Sequence, residues 1–148
     1  MLSKLSVARI VVGALSAMLF CTPAYAAKVP SQETQDILVK STVLSFNDAN
    51  VTGIYDAFRA KASKALKDKY TVEKFAEAFK PFRDKGINLI GTVVMAVKYT
   101  EQATVDENDV LSLNGYFETA PNKTYFSLRF VMSDEEWKLT NINIELKK

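Results

Sequence analysis

The chain has 148 residues, one cysteine, no histidine, and 19 basic against 17 acidic groups. Without histidine there is no Ser-His-Asp or Cys-His triad and no imidazole base at neutral pH, and most zinc sites are excluded. The lysines between Lys61 and Lys85 are interleaved with acids from Asp56 to Asp84, the pattern of a solvated helical face rather than a basic patch for nucleic acid.

Residues 1–26 read as a leader. Lys4 and Arg9 form its basic start, and Ile10–Phe20 is an apolar run too short to span a bilayer comfortably. Ala24-Tyr25-Ala26 is the small-x-small pattern that signal peptidase cuts. The expected cut follows Ala26 and places the protein in a bacterial periplasm or outside the cell. A lipoprotein signal ending at Cys21 and an uncleaved anchor are the alternatives, although bulky Phe20 stands where a lipobox needs a small residue. Loss of Lys4 and Arg9 would bring the basic groups level with the acidic ones. Loss of Cys21 would leave no thiol for a disulfide, a nucleophile or a metal.

Residues 27–32 form a short tether, with Pro30 and Ser31 at a helix start. The helix is expected to run to about Asn47, with Val39, Val43 and Phe46 on one side and Ile37 and Leu44 on the other, so both sides should be buried. Asp48, Ala49 and Asn50 are expected to break it, with Asn50 or Thr52 capping a second helix that carries Ile54, Tyr55 and Phe58. Between Arg59 and Tyr70 an Ala/Lys-rich turn and short helix has Leu66 as its large apolar residue. Thr71 then caps a third helix in which Val72, Phe75, Phe79 and Phe82 recur along one stripe. Pro81 should kink or restart it, and Gly86 should end it.

From Ile87 the composition turns to Val and Ile, and Ile87–Tyr99 is expected to be a strand. Thr100–Asp109 reads as an exposed acidic connection. Three further strands are expected at Val110–Thr119, Lys123–Met132 and Glu136–Leu146, turned at Pro121-Asn122 and at Ser133-Asp134-Glu135. In the middle one Phe126, Leu128, Phe130 and Met132 alternate with Tyr125, Ser127, Arg129 and Val131. In the last, the apolar register slips between Leu139 and Ile142, which predicts a bulge near Thr140 or Asn141 and a curled sheet. The expected fold is a single α+β domain over residues 33–148, with three N-terminal helices on the concave face of a curled four-stranded antiparallel sheet.

The order of elements carries a resemblance. The Phe46-Asn47-x-x-Asn50-x-x-x-Ile54-Tyr55 corner, the Phe75–Gly86 helix and the closing Trp137-Lys138-Leu139-x-x-Ile142 strand resemble the nuclear-transport-factor-2-like superfamily, a cystatin-like cone of helices on a bent sheet, and in particular its small secreted bacterial members. The resemblance implies a pocket inside the cone, used by some members for catalysis on apolar carbonyl compounds and by others for binding alone. Family catalytic residues do not carry over, because no acid here matches such a position.

From the residues themselves, an acid/base group would be Asp56 with Tyr55 and one of Tyr99 or Tyr116, since burial among aromatics raises a carboxylate pKa. Its plain alternative is a solvent-facing Asp56 and tyrosines that pack by their rings. Tyr55, Phe58, Phe79, Phe82, Phe117, Phe126, Phe130 and Trp137 are candidates to line an apolar pocket, or else to fill a core. On the outer sheet face Tyr116, Tyr125, Arg129, Asn141 and Asn143 form a candidate homodimer interface. Asp106, Glu107 and Asp109 lack the spacing of a calcium loop, so no metal and no cofactor is expected. The resulting expectation is an exported, non-catalytic domain that binds a small apolar ligand or an envelope protein, without nucleic acid and without stable membrane insertion once the leader is cut. The alternatives are a small isomerase, dehydratase or cyclase that uses a pocket carboxylate or tyrosine, and an assembly subunit that uses the outer sheet face.

Overall fold

The computed structural model describes residues 27–148. The expected leader, with Cys21 and the cut after Ala26, lies outside the described residues. The helical part begins with α1 (Gln32–Thr52), where the Ser31 hydroxyl accepts from the Thr34 N–H at 3.3 Å. α1 does not break at Asp48–Asn50 as expected. Asn50 instead donates its side-chain amide to the Phe46 carbonyl at 3.0 Å, so the residue that looks like a breaker bonds within the helix. Gly53, at φ 75°, ends it and donates its N–H to Ala49 O. α2 (Asp56–Ala60) therefore starts without a side-chain cap, and the expected caps Asn50 and Thr52 both belong to α1.

Ser63 caps α3 (Lys64–Lys69), and Thr71 caps α4 (Val72–Ala78). The Phe75–Gly86 stretch is two helices rather than one, because α5 (Lys80–Asp84) restarts with Pro81 in its first turn, where a missing N–H costs nothing. One 21-residue helix and four short ones thus stand where three helices were expected.

The largest departure is Ile87–Tyr99. A 3-10 helix at Ile90–Val94 replaces most of the expected strand, and only β1 (Lys98–Tyr99) is extended. The cause is non-local. The Leu89 N–H donates to Asn47 Oδ1 of α1 at 2.6 Å, and buried Thr92 donates its hydroxyl back to Leu89 O at 2.8 Å. These bonds turn a β-branched segment whose composition alone favours a strand.

Within the expected connection lies β2 (Thr104–Val105), which pairs with the same edge of β3 (Val110–Phe117) as β1 does. Between the Tyr99↔Gly115 and Thr104↔Ser112 pairs the edge chain carries two more residues than β3. β4 (Lys123–Ser133) and β5 (Glu136–Lys147) complete a five-stranded antiparallel sheet in place of the four strands expected. Arg129 faces Asn141 while Phe130 faces Leu139, which leaves Thr140 unpaired. That is the bulge the sequence predicts, and it curls the sheet.

The β4–β5 turn places Asp134 and Glu135 at φ 53° and 62°. Left-handed conformation at both central residues is what a two-residue primed hairpin turn requires, and it suits glycine at the second position. We predict that Glu135→Gly raises stability by up to about 1 kcal/mol by relieving the Cβ clash. A thermal melt that falls instead of rising would contradict this.

The core lies between the helices and one face of the sheet. Leu111, Leu113, Phe117, Phe126, Leu128, Phe130, Leu139 and Ile144 come from the strands, and Val39, Val43, Phe46, Tyr55, Phe58, Leu66 and Phe75 from the helices. Two expected core contributions are absent. Met132 sits near the hairpin tip and is 38% exposed, and Ile37 of α1 is 58% exposed. Gly115 is needed for close approach. A Cβ there would lie 2.2 Å from the Lys98 carbonyl oxygen and 2.7 Å from Cζ of Phe126, its cross-strand partner.

Candidate functional site

The sheet curl brings the α1 side wall and the far end of the β4–β5 hairpin together around a groove of about 150 Å³. α1 contributes Leu38, Ser41, Thr42 and Ser45; α2 and the residue after it contribute Phe58 and Lys61; β4 and β5 contribute Phe130 and Glu136 through Leu139. The floor is fixed, since Phe58, Phe130 and Leu139 are at most 4% exposed. Trp137, half-buried, forms a wall. The volume matches a benzene-sized group.

The polar groups around this floor are mostly donors. Lys138 Nζ pairs with Glu136, and Ser41 donates to Leu38 O at 3.3 Å. The Thr42 and Ser45 hydroxyls, the Trp137 indole N–H and the Lys61 ammonium have no hydrogen-bond or ion-pair partner among the described residues. The backbone around Lys61 is nevertheless well anchored. Ser63 donates its N–H to Leu139 O at 2.7 Å, Ala62 forms a parallel bridge with Leu139, and Arg59 donates to the Lys67 and Tyr70 carbonyls at the end of α3.

The eight aromatic pocket candidates divide into three places. Phe58, Phe130 and Trp137 line the groove. Phe79 and Phe82 pack edge-on against Phe46, at ring-centre distances of 4.8 and 5.1 Å, and Tyr55 stacks on Phe79 at 6.2 Å. Phe117 and Phe126 pack together at 5.7 Å, with the Tyr99 ring edge-on to Phe126. The hub of the second group, Phe46, stands in the sequence as an α1 core residue and as the start of the Phe46–Tyr55 corner, outside the pocket candidates. Leu38, Thr42, Ser45 and Lys61 of the groove lie outside the candidates that the sequence offers. The i, i+1, i+4 spacing of Ser41, Thr42 and Ser45 was an available signal, whereas nothing in the Ala/Lys-rich segment marks Lys61.

The acid/base candidates are dispersed. Asp56 is exposed at the start of α2, while Tyr55 is fully buried, donating its hydroxyl to Asn50 Oδ1 at 2.6 Å and accepting from Arg83 Nη1 at 3.2 Å. Tyr99 donates to Asp36 Oδ1 at 2.8 Å, and burial, followed by that carboxylate, holds its hydroxyl above the usual tyrosine range. Its proton is therefore held more tightly than in free tyrosine. Tyr116 lies on the outer face. In the acidic connection Asp106 accepts from the Asn108 and Val110 N–H groups and from Arg129, and Asp109 accepts from the Ala27 N–H at 2.8 Å. Among the described residues no group of three or more acidic side chains is placed to hold a metal, and no helix is long and apolar enough to cross a membrane.

On the outer face Tyr116 and Tyr125 are cross-strand neighbours with ring centres 5.3 Å apart. Lys123 Nζ lies 4.6 Å from the Tyr116 ring centre and Lys147 Nζ 5.8 Å from that of Tyr125. Arg129, beside Asn141, reaches Asp106 at 3.2 Å, and Asn143 donates to Glu145 at 3.0 Å. Lys147 and then Asn143 keep the Glu145 carboxyl below its usual range.

A wider cleft of about 390 Å³ lies toward the other end of the β4–β5 hairpin, between the segment around the 3-10 helix and the β3–β4 turn. None of the eight aromatic candidates lines it. No protein-family model matches this sequence, and no curated protein matches it.

Proposed function

We propose that the protein is an exported, non-catalytic binding domain that seats a small apolar group, from a free ligand or an envelope partner, in the groove between α1 and the β4–β5 hairpin. The observation that carries this reading is the half-buried Trp137 standing beside a fixed apolar floor of Phe58, Phe130 and Leu139. Apolar walls with a few polar groups at the mouth are the usual makeup of a ligand site. The reading keeps the nuclear-transport-factor-2-like resemblance as its frame, a helical layer on a bent sheet with the ligand held between the two. Native mass spectrometry of Ala27–Lys148 from an exported preparation tests it. An added mass is expected, lost on denaturation and absent from Trp137→Ala. A bare chain in both cases would refute groove binding.

The outer sheet face supports a second role, pairing of two copies. Tyr116, Tyr125 and Arg129 are residue types favoured at interfaces, and here they stand together on neighbouring strands. The same spectra report it. A dimer should appear and should be lost in the Tyr116→Ala/Tyr125→Ala double variant.

A further inference from the structure

We infer that the groove selects a compact apolar molecule carrying one carboxylate, an aromatic or short branched acid, with its apolar body beside Trp137 and Phe130 and its head group toward Lys61. The inference rests on the groove-binding reading above and adds the ligand's charge. Three features converge on it. The groove volume, about 150 Å³, suits a single ring. Its polar lining is rich in donors: the Thr42 and Ser45 hydroxyls and the Trp137 N–H have no internal acceptor, and the one lining carboxylate, Glu136, is already paired with Lys138. The remaining charge is positive, because Lys61 has no carboxylate partner among the described residues.

A cationic ligand would face the like charge of Lys61, and a neutral one, though able to accept hydrogen bonds, would leave that charge unanswered. A carboxylate supplies two acceptor oxygens and the opposite charge, and hydrogen bonds to ionised groups are the stronger kind. The placement of Lys61 does not depend on its own side-chain contacts. The Ser63–Leu139 bond and the Ala62 bridge hold the backbone beside it against β5, and Lys61 is one of the residues lining the groove.

The chain contains one tryptophan, so its fluorescence reports occupancy of the groove directly. Mature protein is titrated with benzoate, with its neutral isostere benzamide, and with benzylamine. Benzoate should give a saturable change in Trp137 emission, benzamide should bind at least tenfold more weakly, and benzylamine should bind least. Lys61→Gln, a change at an exposed position that leaves the floor untouched, should abolish the preference for benzoate over benzamide. Equal binding of benzoate and benzamide to the wild-type chain would overturn the charge inference and leave groove binding standing. No saturable change with any probe would overturn both. A benzoate preference that survives Lys61→Gln would overturn the assignment of Lys61.

Discussion

Phe46→Ala should destabilise the domain by about 3–5 kcal/mol, the range for emptying a buried phenylalanine site. Phe46 is 1% exposed, and its ring touches three others: Phe58 at 6.3 Å, Phe79 at 4.8 Å and Phe82 at 5.1 Å, all edge-on. Such contacts add to simple burial, so α1, α2, α5 and the α4–α5 joint all lose packing when one side chain is removed. The cavity would also be slow to collapse. Phe58 is held in turn by Phe75 at 5.4 Å, and Phe79 by Tyr55 and Phe75. Urea denaturation of the mature chain measures the loss, and Phe46→Leu should recover part of it. A loss no larger than that of a surface substitution, below about 0.5 kcal/mol, would mean that the rings repack freely around the hole.

Gly115→Ala should cost about 1–3 kcal/mol, the usual scale of overpacking, and more if the edge strand detaches. The added methyl would meet a backbone oxygen at 2.2 Å, and backbone cannot swing aside as a side chain can. Either the Phe126 ring tilts away from Tyr99 and Phe117, or β1 leaves β3 and the Thr100 N–H loses its bond to Asn114 O. Gly91→Ala is the matched control, since a methyl there meets only Met95 Cε at 3.9 Å. Chemical denaturation of both variants, with amide exchange at Thr100, gives the comparison. Equal stability of the two would show that the close approach at Gly115 is not a constraint.

The β3–β4–β5 part of the sheet was legible because its information is local. Alternation in Lys123–Met132 identifies a strand with one buried face, and the slip from Leu139 to Ile142 is visible as a break in the period of two, which is why the Thr140 bulge could be anticipated. Thr71 and Pro81 likewise act on the turn in which they stand. What departs from the sequence reading depends on side-chain hydrogen-bond partners, near or far, that composition does not reveal. Ile87–Tyr99 has strand composition, but Asn47, 42 residues before Leu89, captures its backbone. Asn50 has the identity of a breaker, but its amide bonds to Phe46 O while its oxygen accepts from Tyr55. The groove was half legible. Large aromatics announce a core or a pocket without saying which, and only the fold separates Phe58, Phe130 and Trp137 from the rings packed on Phe46 and on Phe126. Lys61 carries no local signal, since its significance lies in what stands beside it after folding.

The bond from the Ser63 N–H to Leu139 O ties the segment that carries Lys61 to the strand that carries Trp137. It works as a rivet. The segment and the strand cannot part without breaking a backbone link and the bridge beside it, so this side of the groove keeps one spacing while the α1 side is left to adjust.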